Sequence, residues 1–193
     1  MRALPGRTLL RDGGTRCRFC TCTETYTTET LPHVLGFCPH GELLRNHRHH
    51  VIRSTIAKAL RAKDKFDVYE EVTCVADSGS VRRADIIAID RKGDIGYIID
   101  PTIRFEVNKD QPASVDKEKK AIYEPTIPFF REAYGVTNFK VLGLMVGARG
   151  TITSFFKQFW HSLALPNKDL FFISNFALKS SIQILRNHLY NTV

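Results

Sequence analysis

The sequence predicts an α/β domain, with helices packed on a mixed sheet and a small metal-binding segment ahead of it. Three observations carry that expectation. Residues 84–100 read as two short apolar strands around a glycine turn, amphipathic helical patterns lie before and after them, and cysteines and histidines gather near the N-terminus. A chain of 193 residues with 43% hydrophobic content can bury one core and carry an appendage. No apolar run nears the 18 residues of a membrane helix, so no membrane partner is expected. The start, Met1-Arg-Ala-Leu-Pro-Gly-Arg7, lacks the apolar stretch of a secretory signal, which predicts an unsecreted protein in a reducing compartment. A formal charge of +8 favours a polyanionic partner, because each cation that meets a phosphate releases a counterion. Charge alone does not separate a nuclease from a ribosomal or chromatin-type binder.

The elements follow in order. Residues 1–16 form a basic arm carrying Arg2, Arg7, Arg11 and Arg16 among three glycines. From Gly41 to Lys63, Leu43, Leu44, His47, Val51, Ile56, Ala59 and Leu60 recur at helical spacing, while Arg45, Arg48 and Arg53 fill other faces. Phe66 to Val75 reads as a strand and Asp77-Ser-Gly-Ser80 as a turn. Ala84 to Asp90 and Ile95 to Asp100 are the two strands of a hairpin closed by Arg91-Lys-Gly-Asp94. A helix is predicted from Ala113 to Glu124, ending before Pro125. Phe139 to Val146 is a continuous apolar run expected of a buried strand, and Thr151–Leu165 and Asp169–Asn191 read as closing helices. The expected organisation is an arm and metal knuckle over 1–40, a basic linker helix over 41–64, a core over 65–150 and packing helices over 151–193.

Cys17-x2-Cys20-x12-His33-x4-Cys38 has the tight first pair and spaced second pair that tetrahedral zinc requires. Cys22 could replace Cys20, and His40 could replace Cys38. Four protein ligands leave no open position, so this Zn2+ would be structural. Cys74, in an apolar strand, reads as a core thiol.

Symmetric closure of the 91–94 loop sets Asp85 opposite Asp100, with Cβ atoms roughly 4.5–5.5 Å apart. Two carboxylates that close repel unless a cation lies between them, and Mg2+ or Mn2+ with oxygen ligands is the usual solution. Such an ion can acidify a water and neutralise a pentavalent phosphate. The run Asp116-Lys-Glu-Lys-Lys120 offers Lys117, Lys119 and Lys120 as helper cations. Lys119 lies one helical turn before Tyr123 on the same face, so a Tyr123 packed on the sheet would lean Lys119 over the site. Glu70 or Glu71 could add a third carboxylate.

This combination resembles the C-terminal region of site-specific non-LTR retrotransposon polyproteins, where a zinc knuckle precedes a restriction-like endonuclease of the PD-(D/E)xK superfamily. The matching stretches are Arg2-Ala-Leu-Pro-Gly-Arg7, the Cys17–Cys38 cluster, Arg48-His-His50, Arg82-Arg-Ala-Asp85, Ile99-Asp-Pro-Thr102, Glu118-Lys119 with Tyr123, and Val146-Gly-Ala-Arg-Gly150. Ala84 stands where the family has proline, and Thr102 where the superfamily often has lysine. The resemblance implies a restriction-endonuclease-like sheet flanked by helices, with Asp85, Asp100 and Lys119 as catalytic residues. It implies nicking of a chromosomal DNA target so that reverse transcription can be primed there, in the nucleus or in the cytoplasm before import. The knuckle and basic helix would grip DNA, with RNA of the parent element as a second candidate. Arg45, Arg48, His49, Arg53, Lys117 and Lys120 are the nucleic-acid contacts this suggests. No reverse transcriptase fits in 193 residues, so a truncated or remnant copy is expected. The competing expectation is a nucleic-acid-binding zinc-knuckle protein whose catalytic centre has degraded.

Overall fold

The computed structural model describes residues 16–20 and 27–191. Four strands form one sheet in the order β1 (Asp67–Val75), β2 (Val81–Asp90), β3 (Ile95–Arg104) and β4 (Asn138–Gly147). The first three run as an antiparallel meander, while β4 lies parallel to β3. A parallel neighbour requires a crossover, and α3 (Gln111–Tyr123) and α4 (Ile127–Tyr134) supply it. α1 (Leu31–Gly36) and α2 (Glu42–Arg61) precede the sheet, and α5 (Ser154–Ser162) and α6 (Asn167–Tyr190) follow it.

The sheet is buried on both faces, which is why β2 and β4 read as continuous apolar runs rather than alternating ones. On one face Ile86 and Ile99 meet Ile52, Ile56 and Leu60 of α2 together with Trp160 of α5. On the other, Ile87 and Ile98 meet Tyr123 of α3 and Phe130 of α4. α6 lies along α2 and reaches back to α1. No helix among the described residues is long and apolar enough to cross a membrane.

Local chemistry accounts for several helix boundaries. Thr30 caps α1 by accepting from the His33 amide, and Pro32 occupies the first turn, where no amide hydrogen is needed. Thr153 caps α5 in the same way. Helix α4, with no counterpart among the expected elements, follows Pro125 and carries Pro128 in its own first turn. It stops at Gly135, whose φ of 65° is the left-handed geometry glycine adopts without strain. The basic arm over residues 1–15 lies outside the described residues.

The β3–β4 contact depends on an absent side chain. A Cβ on Gly96 would lie 2.2 Å from the ring of its register partner Phe139, which stacks on Phe130. Gly96→Ala is expected to destabilise the fold by about 1–3 kcal/mol in urea unfolding. Phe139→Leu in the same chain should recover part of that loss, and strictly additive effects would show that the two sites do not touch.

Candidate active site and metal centre

The β2–β3 ladder pairs Ile86 with Ile99 and Ile87 with Ile98, the register that symmetric loop closure predicts. Asp85 and Asp100 are the next positions beyond the last pair. Both line one cavity of about 320 Å³ at that end of the sheet, together with His49, Thr102, Lys119 and Tyr123.

A break in strand alternation aims Asp85. In β2, Ile86 and Ala88 belong to the α2-side core, yet Ala84, two residues earlier, belongs to the α3-side core. β1 does the same, with Val68 on the α2 side and Val72 and Cys74 on the other. Both strands therefore change face at Glu71 and Asp85, which lie across from each other between the pairs Glu70–Ile86 and Val72–Ala84. Glu71 has φ 54°, a left-handed conformation that costs of order 1 kcal/mol or more for a non-glycine residue. Its carboxylate is held at 2.6 Å by both Arg53 and Arg83. Neither Glu70 nor Glu71 lines the cavity: Glu70 pairs with Arg53 and Arg61.

Basic side chains approach the two aspartates from opposite helix layers. His49 of α2 places Nε2 3.1 Å from Asp85 Oδ2, and Lys119 of α3 places Nζ 3.1 Å from Asp100 Oδ2. Thr102 donates to the other Asp100 oxygen at 3.0 Å. The hydrogen bond to Asp85 raises the His49 pKa above its usual value, against the effect of burial. Burial, partly offset by Lys119 and reinforced by Asp85, raises that of Asp100. Tyr123 packs inward, the condition under which its spacing from Lys119 brings that lysine over the site, and donates to the Arg83 carbonyl at 3.0 Å.

The approach of Lys119 depends on Gly143 of β4. A Cβ there would meet the Asp116 backbone at 2.9 Å and Lys119 Cβ at 3.0 Å, and the Gly143 amide donates to Asp116 Oδ1. The bare backbone lets α3 sit close on the sheet. Lys117 is exposed, whereas Lys120 pairs with Asp116 one turn away.

Two of the arginines expected to contact nucleic acid are internal. Arg48 is 2% exposed, donating to Ser181 Oγ and the Leu35 carbonyl, and burial lowers its pKa to about 10. Arg53 is enclosed by Glu70 and Glu71. Both bind the protein to itself, because α2 packs on α6 and β1 along the faces that carry them. Arg45 lines the cavity but donates to the Cys38 carbonyl, and the half-buried His49 is engaged by Asp85.

The cysteine cluster assembles as its spacing predicts. One ligand atom from each of Cys17, Cys20, His33 and Cys38 falls within 4.8 Å of the others, a group that could hold a metal such as zinc. Sulfurs about 2.3 Å from a tetrahedral centre stand about 3.8 Å apart. Cys17 and Cys38 sulfurs are 3.8 Å apart, Cys20 and Cys38 are 4.0 Å apart, and His33 Nε2 is 3.4 Å from Cys20 Sγ. Burial pushes the Cys38 thiol up to about 12 and lowers the His33 pKa. His40 instead stacks on Phe19 at 3.6 Å between ring centroids, and Cys22 lies outside the described residues. Cys74 is buried in the α3-side core. Among the described residues, the groups of three or more His, Cys, Asp or Glu that converge within 4.8 Å are at this knuckle; the Asp85–Asp100 pair gathers no third such ligand at that spacing.

Gly143→Ala is expected to lower stability by about 1–3 kcal/mol and to speed amide exchange over α3, as the helix backs away from β4. Unchanged exchange in α3 would show that Lys119 reaches Asp100 without that close approach.

No family model and no curated protein matches the sequence. Among solved structures the chain is similar to a protein of unknown function, AF1548, at 11% identity and a TM-score of 0.36, over 61% of this chain. The aligned region spans 55% of that structure's length.

Proposed function

We propose that the chain is a divalent-metal-dependent DNA-nicking endonuclease built on a restriction-like core. The observation that carries this reading is the convergence of Asp85, Asp100 and Lys119 on one cavity, from two neighbouring strands and the helix that follows them. Asp85 and Asp100 would hold Mg2+ or Mn2+, whose oxygen preference suits paired carboxylates. Such an ion would supply an acidified water and charge neutralisation at phosphorus. Lys119, steadied by Asp100, offers an ammonium to the phosphate or the attacking water. His49 orients Asp85 from the opposite helix layer, and Thr102 orients Asp100. Exposed Lys117 and the net charge of +8 favour a polyanionic substrate.

The resemblance to retrotransposon polyproteins supports a chromosomal target opened for primed reverse transcription, with the parent element's enzyme and RNA as partners and the nucleus as the site of action. A second reading, a nucleic-acid-binding protein with a silent centre, is favoured by one observation. Each carboxylate already faces a basic side chain at 3.1 Å, and among the described residues the pair joins no group of three His, Cys, Asp or Glu ligand atoms that all lie within 4.8 Å of one another.

Supercoiled plasmid with Mg2+ or Mn2+ separates the two. Wild type should convert it to open circles, Asp85→Asn and Asp100→Asn should leave it closed, and Lys119→Met should slow nicking by about 10²–10⁴-fold. Equal cutting by all four proteins would remove the enzyme reading. Absent nicking with DNA affinity that falls steeply as salt rises would establish the second.

A further inference from the structure

The far end of the chain closes on the cysteine cluster. His188, in the last turn of α6, is 1% exposed and inserts its ring against the knuckle. Its Nδ1 is 3.7 Å from Cys38 Sγ, and its Nε2 is 4.0 Å from Cys17 Sγ and 3.2 Å from Glu29 Oε2. Glu29 is fully buried. It accepts from the Arg18 amide at 2.9 Å and from the Arg18 guanidinium at 2.7–3.2 Å. Arg18 donates in turn to the Leu189 carbonyl, one residue past His188. The edge of the Phe19 ring packs on His188.

A fully buried carboxylate persists only when paired and hydrogen-bonded, and Arg18 and His188 meet that condition for Glu29. Glu29, tied to Arg18, thus sits behind an imidazole whose other nitrogen faces the Cys38 sulfur, with the Cys17 sulfur 4.0 Å from the nitrogen that meets Glu29. Groups that hydrogen-bond to ligands from outside orient them, and removing such a group weakens metal affinity by about 10–100-fold.

We propose that His188, positioned by Glu29 and Arg18, forms the outer shell of the zinc centre, so that metal loading and docking of the C-terminal helix are one linked equilibrium. His188 is a positioning residue in this arrangement, and His33 remains the histidine ligand. The coupling is reciprocal: zinc tightens the end of α6 on the knuckle, and the docked helix tightens zinc. It joins two segments 150 residues apart and stands independently of any nuclease activity.

The test uses the full chain loaded with Zn2+ or Co2+. Competition with a chelator should show His188→Ala binding Zn2+ about 10–100-fold more weakly, and Glu29→Gln, which keeps shape and loses charge, weaker by about 10-fold. The Co2+ absorption of His188→Ala should keep the wild-type band positions, whereas His33→Ala should shift them. Stripping zinc from wild type should speed amide exchange over residues 184–190. Unchanged zinc affinity in Glu29→Gln overturns the proposal, even where His188→Ala fails to fold. Shifted Co2+ bands in His188→Ala, making His188 a ligand, also overturn it, as does exchange in α6 that ignores the metal.

Discussion

Two like charges at one end of the sheet set the constraint that the rest of the structure answers. Carboxylates brought to one cavity from neighbouring strands repel, and two unit charges about 5 Å apart cost about 3 kcal/mol at an effective dielectric near 20. That is a large fraction of a small domain's stability. The molecule meets it with one basic side chain from each helix layer, His49 from α2 and Lys119 from α3. Each contact asks something of the backbone. Lys119 needs α3 pressed onto β4, and Gly143 permits it. Asp85 lies where β1 and β2 change face, so that a residue at the margin of the α3-side core can be met from the α2 side. The strained Glu71 opposite it, gripped by two arginines, is the local consequence.

What could be read in the sequence was whatever depends on spacing alone. The hairpin register follows from loop length and a period of two, and it holds from Ile86–Ile99 to Asp90–Ile95. The i,i+4 relation of Lys119 and Tyr123 follows from helical geometry, and the Cys17–Cys38 ligand group from its spacing. What escaped depends on tertiary context. Alternation gives no sign that β1 and β2 swap faces, a change accompanied in β1 by the left-handed φ of 54° at Glu71. Arg48 and Arg53 look like surface charges on a basic helix, yet their partners, Ser181, Leu35, Glu70 and Glu71, come from other elements. His188 belongs to the knuckle although it lies in the chain's last turn of helix. Nothing within 20 residues of it hints at that.

The burial of Arg48 and Arg53 changes how the charge of +8 is to be read. Net charge sums internal and external groups alike, and two of the arginines on the most basic-looking helix are inside. Long-range attraction still feels them, since burial lowers the dielectric around a charge without removing it. Direct phosphate contact does not, because guanidiniums committed to carboxylates and carbonyls would first have to leave them. In the proposed function, contacts with a nucleic acid would come from groups such as Lys117 that reach solvent, or from basic groups bordering the cavity.

The two centres are mechanically connected through α2. That helix starts four residues after Cys38, and its first turns carry Arg45, which donates to the Cys38 carbonyl and also borders the acidic cavity. One turn further on, His49 meets Asp85. The knuckle thus fixes the N-terminal end of the helix whose next turn orients an aspartate, and α6 clamps the same assembly from behind through His188 and the Arg48–Ser181 bond. A shift of the cysteine cluster would move Arg45 first and His49 with it, since a helix transmits displacement along its axis as a rigid element. The knuckle therefore acts as a fixed wall of the cavity rather than an independent finger on a tether.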